Sequence, residues 1–431
     1  MNTFAVKGNI CYSKNAEEVL CLEHSYLVCE EGKCAGIFGE LPEKYRSVPV
    51  TDYGDQLIIP GMTDLHIHAP QFPFRALGMD KELMDWLNAY TFKEESKYKD
   101  LEYAEKAYSV FVEHVRRSAT TRLCVFGTIH REATLLLMDK LEKSGLIAYV
   151  GKVNMDRNSP DYLCESTEES VAETLQWLKD TEGRYERVKP IITPRFVPSC
   201  TNGLMTELGH IVEENNLPVQ SHLSENLSEI AFVKELVPEA KTYGDAYDLF
   251  GLFGKPKSHE TEVQETLPCI MAHCVHSSDE ELQLIKQNGV YIAHSPESNI
   301  NLCSGVAPVS KYLDMGLNVG LATDVAGGSS ECMFKAIAHA VQASDLRWRL
   351  QDQNVKPLSF GNAFYLATRG GGSFFGKVGA FDEGYEFDAL VVSDEDLETS
   401  RSLSLIERLQ RLPYLADYRN IKAKYVAGKL L

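Results

Sequence analysis

Two textures of apolar and polar positions divide this chain. Residues 1–59 alternate short β-like runs, "TFAVKGNICYS" and "HSYLVCEEGKCAGIFGE", with polar turns, the look of an antiparallel sheet rather than of helices. After Pro60-Gly61 the rhythm changes. Up to about residue 370 a short apolar run stops at a polar residue, a longer amphipathic stretch follows, and the cycle repeats. Eight strand-like runs are legible: "MTDLHIH" (62–68), "RLCVFGTIH" (122–130), "IAYVGKVNM" (147–155), "VKPIITPRF" (188–196), "LPVQSH" (217–222), "PCIMAH" (268–273), "GVYIAH" (289–294) and "NVGLATD" (318–324). Between them, "EYAEKAYSVFVEHVRRSA", "TEESVAETLQWLKDT", "LMTELGHIVEENN" and "DEELQLIKQN" repeat apolar residues at three and four, the spacing of a helix face.

Alternation of strand and helix argues for an α/β protein with a parallel sheet, and eight such units are what a closed (β/α)8 TIM barrel needs. An open doubly wound sheet is the alternative, although no Gly-x-Gly-x-x-Gly follows the first strand. Beyond residue 370 the β texture returns in "KVGAFDEGYEFDALVVSD" and "IKAKYVAGKLL". The expected organisation is a barrel over residues 60–370 beside a small β-sandwich domain built from residues 1–59 and 371–431.

In such a barrel the reactive groups gather at the C-terminal ends of the strands. His66 and His68 close the first strand, His222 the fifth, His273 the sixth, His294 the seventh and Asp324 the eighth. Strand residues two apart share a face, so His66 and His68 could grip one ion together. Singly, each histidine reads as a hydrogen-bonded structural residue, and Asp324 before "VAGG" as a helix cap. Collectively they put five of the chain's 12 histidines at one end of the barrel. Histidine and carboxylate with an open position are what a catalytic zinc requires. His24, His114, His130, His210, His259, His276 and His339 are left as structural or surface residues. A different zinc pattern, His-x-Glu followed by Pro-Cys-x-x-Cys, does not fit: "HRE" (130–132) is present, but "PCIMAHC" has four residues between its cysteines.

Charge and cysteine usage narrow the partners. Lys and Arg total 43 against 62 Asp and Glu, a formal charge of -19, and a field of that sign repels nucleic acid and anionic lipid. Eleven cysteines without a regular framework fit reduced thiols in a cytoplasmic protein. With no run of 18 apolar residues, neither a membrane nor a nucleic acid is an expected partner.

"PGMTDLHIH", "QSHLSEN", "MAHCVHS", "HSPESN" and "ATDVAGG", in that order, resemble the mononuclear zinc deaminase branch of the amidohydrolase superfamily, over nearly the whole chain. "HAPQFPF", "DWLNAYTF", "VGKVNMD", "KPIITPRF" with "SC" nearby, and "TDVAGG" narrow the resemblance to members that act on guanine. It implies that His66, His68, His222 and Asp324 bind the metal. It also implies that His273 holds the attacking hydroxide or the developing tetrahedral centre, and that Glu225 carries protons; Asp324 can accept the proton of the attacking water. No lysine ends strand four, where two-metal relatives carry a carboxylated one, and Arg195 of "TPRF" stands there instead. One metal per subunit follows, zinc or alternatively iron. The sequence departs from the family at Glu297 in "HSPESN", where an asparagine is expected.

Substrate contacts are read from side-chain chemistry. Arg195 offers a planar fork of donors for a purine carbonyl, Gln71 can donate and accept, and Phe196 can lie against a flat base. A salt bridge, a loop amide and core packing are the bland alternatives. Trp86, Leu87 and Tyr90 would form a wall or lid support, a spacing that a plain amphipathic helix fits equally. The resemblance implies hydrolytic deamination of guanine to xanthine and ammonia by a homodimer. A related purine, a pterin or a triazine is the alternative substrate, and a non-catalytic barrel scaffold the alternative from another class; no ligand is missing, which speaks against the scaffold.

Overall fold

The computed structural model describes residues 3–254 and 268–431; His259 lies outside the described residues. Eight strand positions follow one another around a barrel: Met62–His68, Thr120–Phe126, Ile147–Gly151 continued by Val153–Asn154, Val188–Pro190 continued by Thr193–Pro194, Val219–Leu223, Cys269–His273, Tyr291–His294 and Asn318–Leu321. Their pairings are parallel. Two junctions decide between a closed and an open sheet. Between strands four and five, Ile192 N donates to Pro218 O (2.9 Å) and Gln220 N to Ile192 O (3.0 Å). Between strands eight and one, Asp324 N donates to His66 O (2.9 Å) and His68 N to Val325 O (3.0 Å). The circle is closed, and the doubly wound alternative falls.

Local sequence explains the helices that wrap this circle. Thr167–Thr181 begins at a reciprocal cap in which the Ser166 hydroxyl accepts from Glu169 N while the Glu169 carboxylate accepts from Ser166 N. Asp279–Asn288 starts at Ser278 and stops at Gly289, whose φ of 66° lies in the left-handed region that glycine tolerates. Both match the helical stretches read from the sequence. The second, third, fourth and eighth strands are shorter than their apolar runs: the ends of "RLCVFGTIH" and "NVGLATD" leave the ladder, and "VKPIITPRF" is interrupted at 191–192.

A bulge on the first strand sets up the site. The pairing of Met62–His68 with Thr120–Phe126 slips between Asp64 and Ile67. Leu65 therefore packs in the barrel interior with Cys124, Ile270 and Ala272, whereas Ile67, two residues on, packs in the outer core. Bulges re-aim side chains next to functional sites. Here the slip lies in the stretch that carries His66 and His68, whose Nε2 atoms come within 3.1 Å of each other.

The terminal segments share one seven-stranded sheet. Its spatial order is Lys429–Leu430, Ile421–Val426, Ala389–Val392, Val50–Pro60, Phe4–Ser13, Val19–Glu30 and Lys33–Phe38. It departs from the antiparallel expectation at one place, because Phe4–Ser13 and Val50–Pro60 run parallel. The chain leaves Lys33–Phe38 at one end of the sheet and returns through the turn at Glu43–Tyr45 to re-enter beside the first strand. A helix, Leu405–Leu415, interrupts the C-terminal β segment. Among the described residues no helix is long and apolar enough to cross a membrane.

A buried ion pair ties the sheet to the barrel. Arg122, on the second barrel strand, donates through Nε to Asp388 Oδ2 (2.6 Å) and through Nη2 to Oδ1 (3.2 Å). Asp388 Oδ1 also accepts from Ala427 N (2.7 Å). Asp388→Ala removes both short contacts of the buried guanidinium and leaves it only Glu386, whose Oε2 lies 3.6 Å from Nη2. The expected cost is about 3–5 kcal/mol of stability in denaturant unfolding; a loss within experimental error contradicts it.

Candidate active site

The strand ends deliver their imidazoles to one point. His68 Nε2 lies 3.1 Å from His66 Nε2 and 3.4 Å from His222 Nε2. Asp324 Oδ1 lies 3.2 Å from His66 Nε2 and 3.3 Å from His68 Nε2. Ring nitrogens at such separations on one centre have the spacing of ligands around a single ion. A tetrahedron with metal–nitrogen bonds of about 2.0–2.1 Å has edges of about 3.3 Å. Among the described residues two overlapping groups could hold a metal ion, His66 with His68 and Asp324, and His66 with His222 and His273. His66, His68, His273 and Asp324 are buried and His222 is half-buried.

Neighbours fix which nitrogen each ring presents. His222 Nδ1 donates to Arg195 O at 2.6 Å, which leaves Nε2 with its lone pair toward the centre, the arrangement that orients metal-binding imidazoles. Burial drives the His66 imidazole down to about 4 and holds His222 well below its usual range, so both rings are neutral and able to ligate. Asp64, buried behind this pair, accepts from Thr323 N (3.0 Å), Thr323 Oγ1 (2.5 Å) and His66 N (3.3 Å), pinning strand one to strand eight at the level of the ligands.

Glu225 and His273 face the same point from strands five and six. His273 Nε2 is 3.4 Å from Glu225 Oε2 and 3.9 Å from Asp324 Oδ2. His273 Nδ1 pairs with Asn299 Oδ1 at 2.9 Å, and Ser304 Oγ donates to Glu225 Oε1 at 3.0 Å. Burial opposes charge on His273, but the Glu225 and Asp324 carboxylates outweigh it and hold the imidazole above its ordinary value. Burial pushes the Glu225 carboxyl up, with His273 pulling the other way. Asp324 is held well below the carboxylate range despite its burial, by His66 and the other imidazoles. His273 and Asp324 both sit on left-handed backbone, φ 74° and 47°, the kind of local strain that clusters at functional sites.

Beyond this cluster a cavity opens, lined by His68, Gln71, Leu83, Trp86, Leu87, Arg195, Phe196, His222, Glu225, His273, Leu302, Asp324 and Gly327. Every residue expected to touch substrate is there. Trp86 is fixed by Nε1 donating to Leu77 O (3.1 Å) and by packing on Phe74; Tyr90 stacks on Phe74 from farther out.

The remaining polar residues separate cleanly. His294 ends strand seven as expected but belongs to neither converging group, and burial lowers it to about 3. His130 lies in another cleft with Lys99 and Arg131. Cys269 and Cys274 make strand-region contacts to Leu252 O and Met271 O. Glu297, the departure noted in "HSPESN", accepts from Ser329 Oγ (2.5 Å) and lies 3.6 Å from His339 Nδ1. The side chains that this loop lends to the site are Asn299, Leu302 and Ser304.

Residues 57–431 match the amidohydrolase family. The chain is 40% identical to the probable guanine deaminase of Schizosaccharomyces pombe, covering 87% of this chain and 71% of that one. Identity is also 40% to the guanine deaminase of Mus musculus, covering 87% and 82%. The crystal structure of guanine deaminase from C. acetobutylicum with bound guanine in the active site superposes with a TM-score of 0.94, at 48% identity and over 100% of both chains. This chain belongs to the guanine deaminases of the amidohydrolase family. In this amidohydrolase the converging histidines, the buried Glu225 and the adjoining cavity stand in one connected site, as hydrolysis at a ring carbon requires. Asn299, Ser304, Asp64 and Glu95 were not singled out from the sequence. Asn299 and Asp64 lie inside quoted motifs; Glu95 has no motif around it.

Proposed function

We propose that this protein deaminates guanine by hydrolysis, releasing xanthine and ammonia, with one zinc ion held by His66, His68, His222 and Asp324. The observation that carries the reading is the meeting, in one cavity, of the nitrogen cluster with Glu225 on one side and Arg195, Gln71 and Phe196 on the other. The guanine bound to the C. acetobutylicum relative supports the substrate. When bound, the ion would lower the pKa of a coordinated water from about 15.7 toward 7 and so supply a nucleophile at neutral pH.

The chain's own groups do the rest. Asp324, ionised at neutral pH, accepts the proton of the attacking water and passes it to the exocyclic amine, so that the C–N bond breaks and ammonia leaves while the proton of the added hydroxyl goes to Glu225 as the carbonyl forms. Glu225, its carboxyl raised by burial, delivers a proton to the ring nitrogen beside the carbon that bears the amine, so negative charge does not accumulate there. His273, with Nδ1 donating to Asn299, donates from Nε2 to the oxygen added at that carbon. Arg195 donates to the guanine carbonyl and Phe196 lies against the base. The eleven free cysteines among the described residues fit a reducing cytosol, and assembly as a homodimer is checked by light scattering.

Ammonia release from a panel of purines, pterins and triazines tests the reading. Guanine is expected to be the preferred substrate, and no release from guanine contradicts it. Arg195→Ala is expected to raise KM for guanine roughly 10- to 100-fold, the loss of a charge-assisted hydrogen bond. Steady-state kinetics unchanged from wild type would remove Arg195 from substrate recognition.

A further inference from the structure

Glu95 does not line the cavity, yet it holds two residues that do. It ends the short helix Phe92–Glu95 and is 2% exposed. Its neighbour Glu94 turns to Lys97 and Tyr103, whereas Glu95 points inward. Its two oxygens divide their partners: Oε1 accepts from Gln71 Nε2 at 2.9 Å and Oε2 from Arg195 Nη1 at 2.5 Å. Gln71 Oε1 in turn accepts from Ala326 N at 3.3 Å, so its amide cannot flip without losing both contacts.

We propose that Glu95 is a positioning residue that also sets the charge preference of the site, an inference that rests on the proposed guanine deamination. Two effects follow from one carboxylate. It fixes the donor and acceptor directions of Gln71 and the plane of Arg195, side chains that arrive from distant parts of the sequence. It also cancels the charge of a guanidinium that is 3% exposed at the edge of a substrate cavity. Guanine is neutral at neutral pH. Xanthine has an imide-like N–H between two carbonyls and ionises more readily, so a site holding an uncompensated guanidinium would retain its own product. With Glu95 in place the pair is neutral, the uncharged base is favoured and the anionic product leaves.

Glu95→Gln in the metal-loaded protein tests this, because it keeps the shape and removes the charge. The readouts are guanine kinetics and competitive inhibition by xanthine under mildly alkaline conditions, where xanthine is anionic. KM for guanine is expected to rise roughly 10-fold, with a smaller change in kcat and unchanged metal content, while xanthine binds about 10-fold more tightly. A purely structural defect would weaken both ligands. An unchanged KM overturns the positioning role, and xanthine binding that is unchanged or weaker overturns the charge preference. If Glu95→Gln does not fold, Glu95→Asp carries the test: the charge remains but the shorter side chain cannot span both partners, so KM rises and xanthine affinity stays. Xanthine affinity changing in step with KM would then overturn the proposal. A wild-type protein that releases no ammonia from guanine removes the proposed function; wild-type turnover without this divergence in the variant removes only the role of Glu95.

Discussion

Glu225→Gln is expected to keep its metal and lose turnover by about 100- to 10,000-fold, the usual contribution of a positioned acid–base group. The substitution changes little else. Glutamine has the same length, it can still accept from Ser304 Oγ, which lies 3.0 Å from Glu225 Oε1, and Glu225 is buried at 2% exposure where a neutral amide costs less desolvation than a carboxylate. What disappears is the ability to pass a proton between the water and the ring. The neighbouring His273 does not replace it, because its Nδ1 is held by Asn299 and its Nε2 serves the oxygen added at the ring carbon. Single-turnover and steady-state rates, read with metal content, separate this outcome from a folding defect. Turnover within a few-fold of wild type, at full metal occupancy, would remove Glu225 from the mechanism.

His222→Ala is expected to take metal content from about one ion per chain to well below that, with activity following it. The argument lies in the hydrogen bond from Nδ1 to Arg195 O (2.6 Å). That contact fixes the tautomer, presents Nε2 to His66 and His68, and couples the metal site to the residue proposed to hold the substrate. Removing the ring deletes one ligand and one of the two hydrogen bonds at Arg195 O, leaving the one from Ser221 Oγ at 3.1 Å. Added zinc should restore part of the occupancy without restoring the full rate, because the ion then lacks one of its ligands. Full metal occupancy of the variant, measured by elemental analysis after dialysis, contradicts the assignment.

The barrel and the heart of the site were legible because each depends on local rules. Apolar runs that end at a polar residue mark barrel strands and their mouths, so the pattern alone groups His66, His68, His222, His273 and Asp324. His294 obeyed the same rule and stands apart, since a strand end says where a residue lies along the barrel axis but not how far its ring reaches. The bulge near Leu65 left no trace in the sequence: "MTDLHIH" reads as regular alternation, yet Leu65 and Ile67 occupy different cores. Glu95 was hidden for another reason. It comes from a short helix between strands one and two, in "FKEE", where adjacent glutamates look like solvated surface and only tertiary packing sends one of them inward. The parallel pairing of Phe4–Ser13 with Val50–Pro60 likewise follows from a chain return that no period reveals.

Anomalous diffraction at a metal absorption edge, from crystals grown with zinc, tests the central claim most directly. One peak per chain is expected, within about 2.0–2.2 Å of Nε2 of His66, His68 and His222 and of an Asp324 carboxylate oxygen. A peak ligated elsewhere, two peaks in the mouth, or none with zinc present would contradict it.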